Sequence, residues 1–109
     1  MKTLSIDTSS NICSLAILAD NKIIYEDYIA DKLTHSENLM PMIKKAFDNL
    51  TINLADIDLF ACSKGPGSFT GIRIGVATIC AFRDYYNKKA IGISSLESLA
   101  YNIIPKENS

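Results

Sequence analysis

The first thirty residues carry three short apolar blocks separated by polar turns. Met1 to Ile6 reads as a strand ending on Asp7, and the cluster Thr8-Ser9-Ser10-Asn11 is a turn signal. Ile12 to Ala19 is a second strand, apolar on both faces from Leu15 to Leu18. Asp20-Asn21-Lys22 is a tight connection into a third strand, Ile23 to Ile29. Strands joined by turns this short are antiparallel neighbours, because a parallel pair needs a long crossover.

The pattern then becomes helical. Thr34 and Glu37 have capping-box spacing, with Thr34 as the N-cap. Leu39, Ile43, Ala46, Phe47 and Leu50 form an apolar stripe, which leaves Met40 and Met42 outside it. Pro41 removes one backbone donor inside this helix, so a kink near its first turns is expected. Asn49 to Asp56 reads as a loop, and Ile57 to Ser63 as a fourth strand, parallel to the first because a helical crossover precedes it. Asp56 and Asp58 flank its start and are expected to be solvated. Lys64-Gly65-Pro66-Gly67-Ser68-Phe69-Thr70-Gly71 leads into a second helix of about 16 residues within Phe69 to Asn87. Ala90 to Ser94 is a fifth strand. Ser94 or Ser95 caps a last helix through Ile104, with Glu97 or Ser98 in its first turn. The order βββαβαβα predicts an α/β domain: a mixed five-stranded sheet with helices, the layout of a ribonuclease H-like or actin-like (ASKHA) half-domain. That layout hosts many functions, so function has to come from sites.

Composition narrows the choices. A chain of 109 residues makes one domain with one core. Its formal net charge of −1, with no long run of one sign, argues against direct nucleic-acid binding, which needs a basic patch. The paired lysines Lys44-Lys45 and Lys88-Lys89 read as solvated faces. Cys13, Cys62 and Cys80 all lie in apolar runs without a CxxC pair, which fits free thiols in a reducing cytosol. No signal peptide is apparent, and no run approaches the roughly 20 apolar residues of a membrane span.

Two segments are candidates for chemistry. The glycine loop Gly65-Pro66-Gly67-Ser68 stands between a strand and a helix, where backbone N–H groups can cradle phosphate. It lacks the lysine of a P-loop, and Thr70 stands where a dinucleotide fingerprint needs its third glycine. A corner built on glycine and Pro66 explains the same residues. The turn Asp7-Thr8-Ser9 could orient a magnesium-bound water near a phosphate, or simply close an Asx turn. Neither segment offers a catalytic group or a metal site: the single histidine, His35, cannot supply a pair of ligands, and no cysteine has a nucleophile context.

The second helix is apolar nearly all round, so it must be covered on more than one side. Gly71, Ile74, Gly75, Thr78, Phe82 and Tyr85 share one face, with small residues that admit close approach; Ile72, Val76, Ile79, Cys80 and Tyr86 lie on another side. The two long helices either cover each other or present a joint surface to a partner. The candidate partner surface is Leu39, Met40, Met42, Ile43, Gly71, Ile74, Gly75, Thr78 and Phe82.

The start Asp7-Thr8-Ser9, the run His35-Ser36-Glu37-Asn38-Leu39-Met40-Pro41 and above all Lys64-Gly65-Pro66-Gly67-Ser68-Phe69-Thr70-Gly71-Ile72-Arg73-Ile74-Gly75 resemble the TsaB family, also called YeaZ. The similarity runs in register from Met1 to about Ile104. It implies a cytoplasmic, non-catalytic subunit of the machinery that makes threonylcarbamoyladenosine in tRNA. Such a subunit pairs with a TsaD-like catalytic subunit, is joined by a TsaE-like ATPase, and forms homodimers through its first two helices. The metal-binding histidine pair of TsaD is not matched here, which separates the chain from that subunit. Family members have two half-domains with the superfamily's nucleotide cleft between them. By that resemblance residues 1–104 form the first half, 105–109 begin the connection to a second, and the turn Asp7–Ser10 is similar to a phosphate-contacting turn. No cofactor is expected in this half alone. The competing readings are a nucleotide-binding fragment of an actin-like kinase or ATPase, and a glycoprotease-type peptidase.

Overall fold

A computed structural model of the chain describes residues 1–30, 35–64 and 69–93. Thr34, the loop Gly65–Ser68 and the expected last helix lie outside the described residues. The described elements are β1 (Lys2–Asp7), β2 (Cys13–Ala19), β3 (Lys22–Ile29), α1 (His35–Leu50), a single 3-10 turn (Leu54–Asp56), β4 (Leu59–Ser63), α2 (Phe69–Tyr86) and β5 (Lys89–Ile93). The strands form one sheet in the order β3-β2-β1-β4-β5. β1 pairs antiparallel with β2 and parallel with β4, and β4 pairs parallel with β5. The mixed sheet predicted from the pattern is the one observed.

The β2–β3 turn shows why the meander was readable. Asp20 and Asn21 both adopt positive φ, 51° and 72°, as a two-residue hairpin loop requires. Asp20 also accepts an ion-paired hydrogen bond from the N-terminal ammonium at 2.9 Å, which holds its carboxyl below the usual carboxylate range. β3 is a sheet edge, and an irregularity in the register between Ile17 and Leu18 interrupts its pairing with β2. Such a bulge discourages further strands from adding to an edge.

One face of the sheet carries the main core. Leu4, Ile6, Leu15, Ile17 and Phe60 meet Leu39, Met42, Ile43, Ala46 and Phe47 of α1 and Ile79 of α2. A smaller buried cluster, Ala16, Leu18, Ala61 and Ile93, contains no residue of α1 or α2. Thr3 and Ser5 are also buried, and Ser5 Oγ has no hydrogen-bond partner among the described residues.

Three expectations change. Met42 is only 2% exposed and belongs to the core, because it continues the stripe one turn after Leu39. The stretch expected as a loop contains the 3-10 turn, and the fourth strand starts at Leu59. Asp56 and Asp58 are exposed but also engaged: Asp56 Oδ2 accepts from the Asn53 N–H at 2.9 Å, and Asp58 Oδ2 accepts from the Lys2 N–H at 2.8 Å. The first closes the 3-10 turn; the second fastens the start of β4 to β1. α1 remains one helix through Pro41, which sits on its exposed side.

Candidate functional site

α2 meets the sheet through its glycines. A Cβ built on Gly75 would stand 2.7 Å from Thr8 Oγ1, with Ile6 and Cys62 just beyond at 3.8 and 3.9 Å. No side chain fits there. Thr8, itself 1% exposed, donates its hydroxyl to the backbone carbonyl of Gly71 in the first turn of α2. Farther along, Phe82 and Tyr86 pack on Phe60 of β4, with ring centroids 5.6 and 6.4 Å away.

The turn Asp7-Thr8-Ser9 is an Asx turn. Asp7 Oδ1 accepts from the Ser9 N–H at 2.9 Å and from the Ser9 hydroxyl at 2.6 Å. Ser63, at the end of β4, points its hydroxyl at Ser9 Oγ from 3.4 Å. The structure therefore brings the turn, the end of β4 and the first turn of α2 together in one small polar cluster. Among the described residues, no group of three or more histidine, cysteine or carboxylate side chains is placed to hold a metal ion.

The candidate partner surface divides in two. Leu39, Met42, Ile43, Gly71 and Gly75 are buried, facing their own sheet or the core, so they are not surface residues. Met40 is 50% exposed, while Ile74, Thr78 and Phe82 are half-buried. The expected grouping of α2 also changes: Ile79 and Tyr86 belong to the inward side, and Tyr85 is 81% exposed. The outward side carries Arg73, Ala77, Ala81 and Tyr85, all exposed and four residues apart, with Val76 beside them. Steps of four make a straight ridge on a helix surface. This ridge is not among the faces read from the sequence, which grouped Tyr85 with Gly71 and Gly75. At the C-terminal end of α2, Tyr86 joins Met40, Ile43 and Phe47 of α1, with Ile52 and Leu54, in lining an apolar groove of about 580 Å³. Lys44 and Asp48 stand at its edge, 3.4 Å apart.

The thiols follow the same division. Cys62 is 6% exposed, and burial, then the nearby Cys80, pushes its pKa up. Cys80 is half-buried on α2.

This sheet order, with its two helices, defines a ribonuclease H-like, actin-like domain. RuvC of Thermus thermophilus shares the fold alone, with a TM-score of 0.56 at 8% identity over 84% of this chain and 64% of its own. YeaZ from Pseudomonas aeruginosa superposes with a TM-score of 0.80 at 28% identity, over 87% of this chain and 44% of its own. The family model described as TsaD, tRNA N6-adenosine threonylcarbamoyltransferase, matches residues 28–109. The TsaB protein of Buchnera aphidicola from Schizaphis graminum is 41% identical over 97 residues, 89% of this chain and 46% of its own. Escherichia coli TsaB is 31% identical over 100 residues, 92% of this chain and 43% of its own. The chain belongs to the TsaB (YeaZ) family, within the wider group that the TsaD model describes. It spans a little under half the length of these curated relatives. Their names tie the family to threonylcarbamoyladenosine biosynthesis. No helix among the described residues is long and apolar enough to cross a membrane.

Proposed function

We propose that this chain is a docking module that does no chemistry of its own. It binds a TsaD-like catalytic subunit and a second copy of itself, in a complex that a TsaE-like ATPase joins, and it leaves tRNA contact to its partners. Residues 1–104 act as one half-domain. The observation that carries this reading is the exposed ridge Arg73, Ala77, Ala81 and Tyr85 together with the groove rimmed by Met40. Small side chains flanked by aromatic and methionine anchors suit helix-to-helix contact. Met40, Ile74, Thr78 and Phe82 remain in this surface, and Val76, Ala77, Ala81 and Tyr85 join it. Leu39, Met42, Ile43, Gly71 and Gly75 support it from beneath.

The test uses Met40→Glu with Ala81→Arg, both at exposed positions where the fold tolerates charge. Mass in solution is read by light scattering, and affinity against a purified TsaD-like subunit. The expected result is a folded variant that is monomeric and binds the subunit at least tenfold more weakly. A folded variant with unchanged mass and unchanged affinity would overturn the reading.

A further inference from the structure

We propose that Thr8 is a positioning residue for α2: the β1–β2 turn, rather than a bound phosphate, fixes where the docking ridge stands on the sheet. Only the docking role of the ridge rests on the function proposed above. The pin itself is a property of the isolated chain.

Three observations converge on Thr8. Its hydroxyl donates to the Gly71 carbonyl, although Gly71 is four residues before Gly75 and its carbonyl is where a regular helix receives the Gly75 N–H. A carbonyl oxygen has two lone pairs, so it can accept both. Gly75 lies one turn on, with its backbone so near the same hydroxyl that an added Cβ would stand 2.7 Å from it. The hydroxyl is therefore bonded to one turn and lies where the next turn has room only for glycine. The bond at this closest approach sets where the helix stands along its axis. The third observation is how the turn itself is held. Asp7 takes both the N–H and the hydroxyl of Ser9, so these groups are engaged within the protein instead of reaching outward. Arg73, Val76 and Ala77 stand on the outward side of the same turns of α2. A slip of α2 at Thr8 therefore displaces the ridge.

Thr78 provides an internal control. It donates to the Ile74 carbonyl at 2.8 Å, the same chemistry within one helix.

Amide hydrogen exchange by NMR tests the pin in the chain as it stands, without any partner. In Thr8→Val the amides of Arg73 to Val76 are expected to exchange about fivefold to tenfold faster, the scale of one hydrogen bond. Those of β1, β2 and α1 stay within about twofold of wild type on that scale. Thr8→Ser, which keeps the hydroxyl, restores protection, and Thr78→Val leaves the Arg73–Val76 amides as they were. Thr8→Ala gives the same readout if the valine variant does not fold. Wild-type protection in Thr8→Val or Thr8→Ala overturns the proposal. So does equal loss across sheet and both helices, which would make Thr8 merely one more core contact. Magnesium-ATP titrated to millimolar levels is expected to leave the Asp7–Ser9 amides unshifted; a saturable shift there would return the turn to phosphate and overturn the pin. Failure of the docking function shows instead in the light-scattering experiment and leaves these exchange rates unchanged.

Discussion

α1 and α2 contribute to the same core cluster on the same sheet, but they are built on different rules. α1 is divided cleanly: Leu39, Met42, Ile43, Ala46 and Phe47 are buried, while Met40, Pro41, Lys44, Lys45 and Asp48 are exposed. Side-chain volume does the packing. α2 packs its N-terminal half with glycine and its C-terminal half with aromatic rings, and it leaves alanine, valine and tyrosine facing outward. A helix that only covered a sheet would have no use for an exposed apolar side. The contrast places α1 chiefly in the core and fits the proposal that α2 serves both core and docking surface.

The largest expected effect breaks α2 at its closest approach. Gly75→Val forces a branched side chain into the space occupied by Thr8 Oγ1, with Ile6 and Cys62 behind it. A cost of about 3 kcal/mol is expected, at the upper end for overpacking. Ala46→Gly on α1 removes one methyl group from an equally buried helix position. It is expected to cost about 1 kcal/mol through helix propensity, and somewhat more for the lost contact. Urea unfolding of the two variants measures the difference. Equal losses would show that α2 sits no closer to the sheet than α1.

Next in size is the reactivity of the two thiols near α2. Cys62 is buried beneath the helix and burial raises its pKa, so little thiolate forms at pH 8. Cys80 is half-buried on the helix itself. Iodoacetamide is expected to label Cys80 on the order of tenfold faster than Cys62 in the folded protein, in keeping with thiolate control of reactivity. Mass spectrometry of the peptides reads the ratio, and denaturation should abolish it. Equal rates in the folded state would mean that α2 opens from the sheet faster than alkylation proceeds, contrary to a pinned helix.

The two helices also differed in how far they could be read from sequence. The apolar stripe of α1 has a phase, so its buried side follows from spacing; Met42, at i+3 from Leu39, was the one buried position left out of that stripe, and Leu39 and Ile43 were read as surface although the stripe already placed them inside. α2 has almost no phase. Gly71 and Gly75 turn inward, while Ala77 and Ala81 turn outward, and small residues of either kind look alike in a pattern. Tyr85 and Tyr86 are adjacent, and only the fold decides that Tyr86 packs on Phe60 while Tyr85 is exposed. The meander was legible because its connections are short and polar. The turn Asp7-Thr8-Ser9 was legible as a candidate site, but the direction of the Thr8 hydroxyl depends on α2, which lies more than sixty residues away in sequence.

The smallest effects concern how the helices end. Both finish on a residue with left-handed backbone, Thr51 at φ 58° after α1 and Asn87 at φ 53° after α2. In each case the next N–H reaches back five residues, from Ile52 to the Phe47 carbonyl at 3.4 Å and from Lys88 to the Arg83 carbonyl at 3.1 Å. This is the hydrogen bond of a Schellman ending, which favours glycine and tolerates asparagine. Threonine is a poor choice, because its branched Cβ crowds the backbone at positive φ. Thr51 is exposed and has no packing role to offset that strain. Thr51→Gly is therefore expected to stabilise the domain by about 1 kcal/mol, despite the greater freedom glycine gives the unfolded chain. Asn87→Gly is expected to change stability by only a few tenths of a kcal/mol, because asparagine already tolerates this conformation. Thermal unfolding of the two variants against wild type separates them. If Thr51→Gly destabilises the domain, the cost at positive φ is smaller than the entropy glycine adds to the unfolded chain, and the two helix ends are equivalent after all.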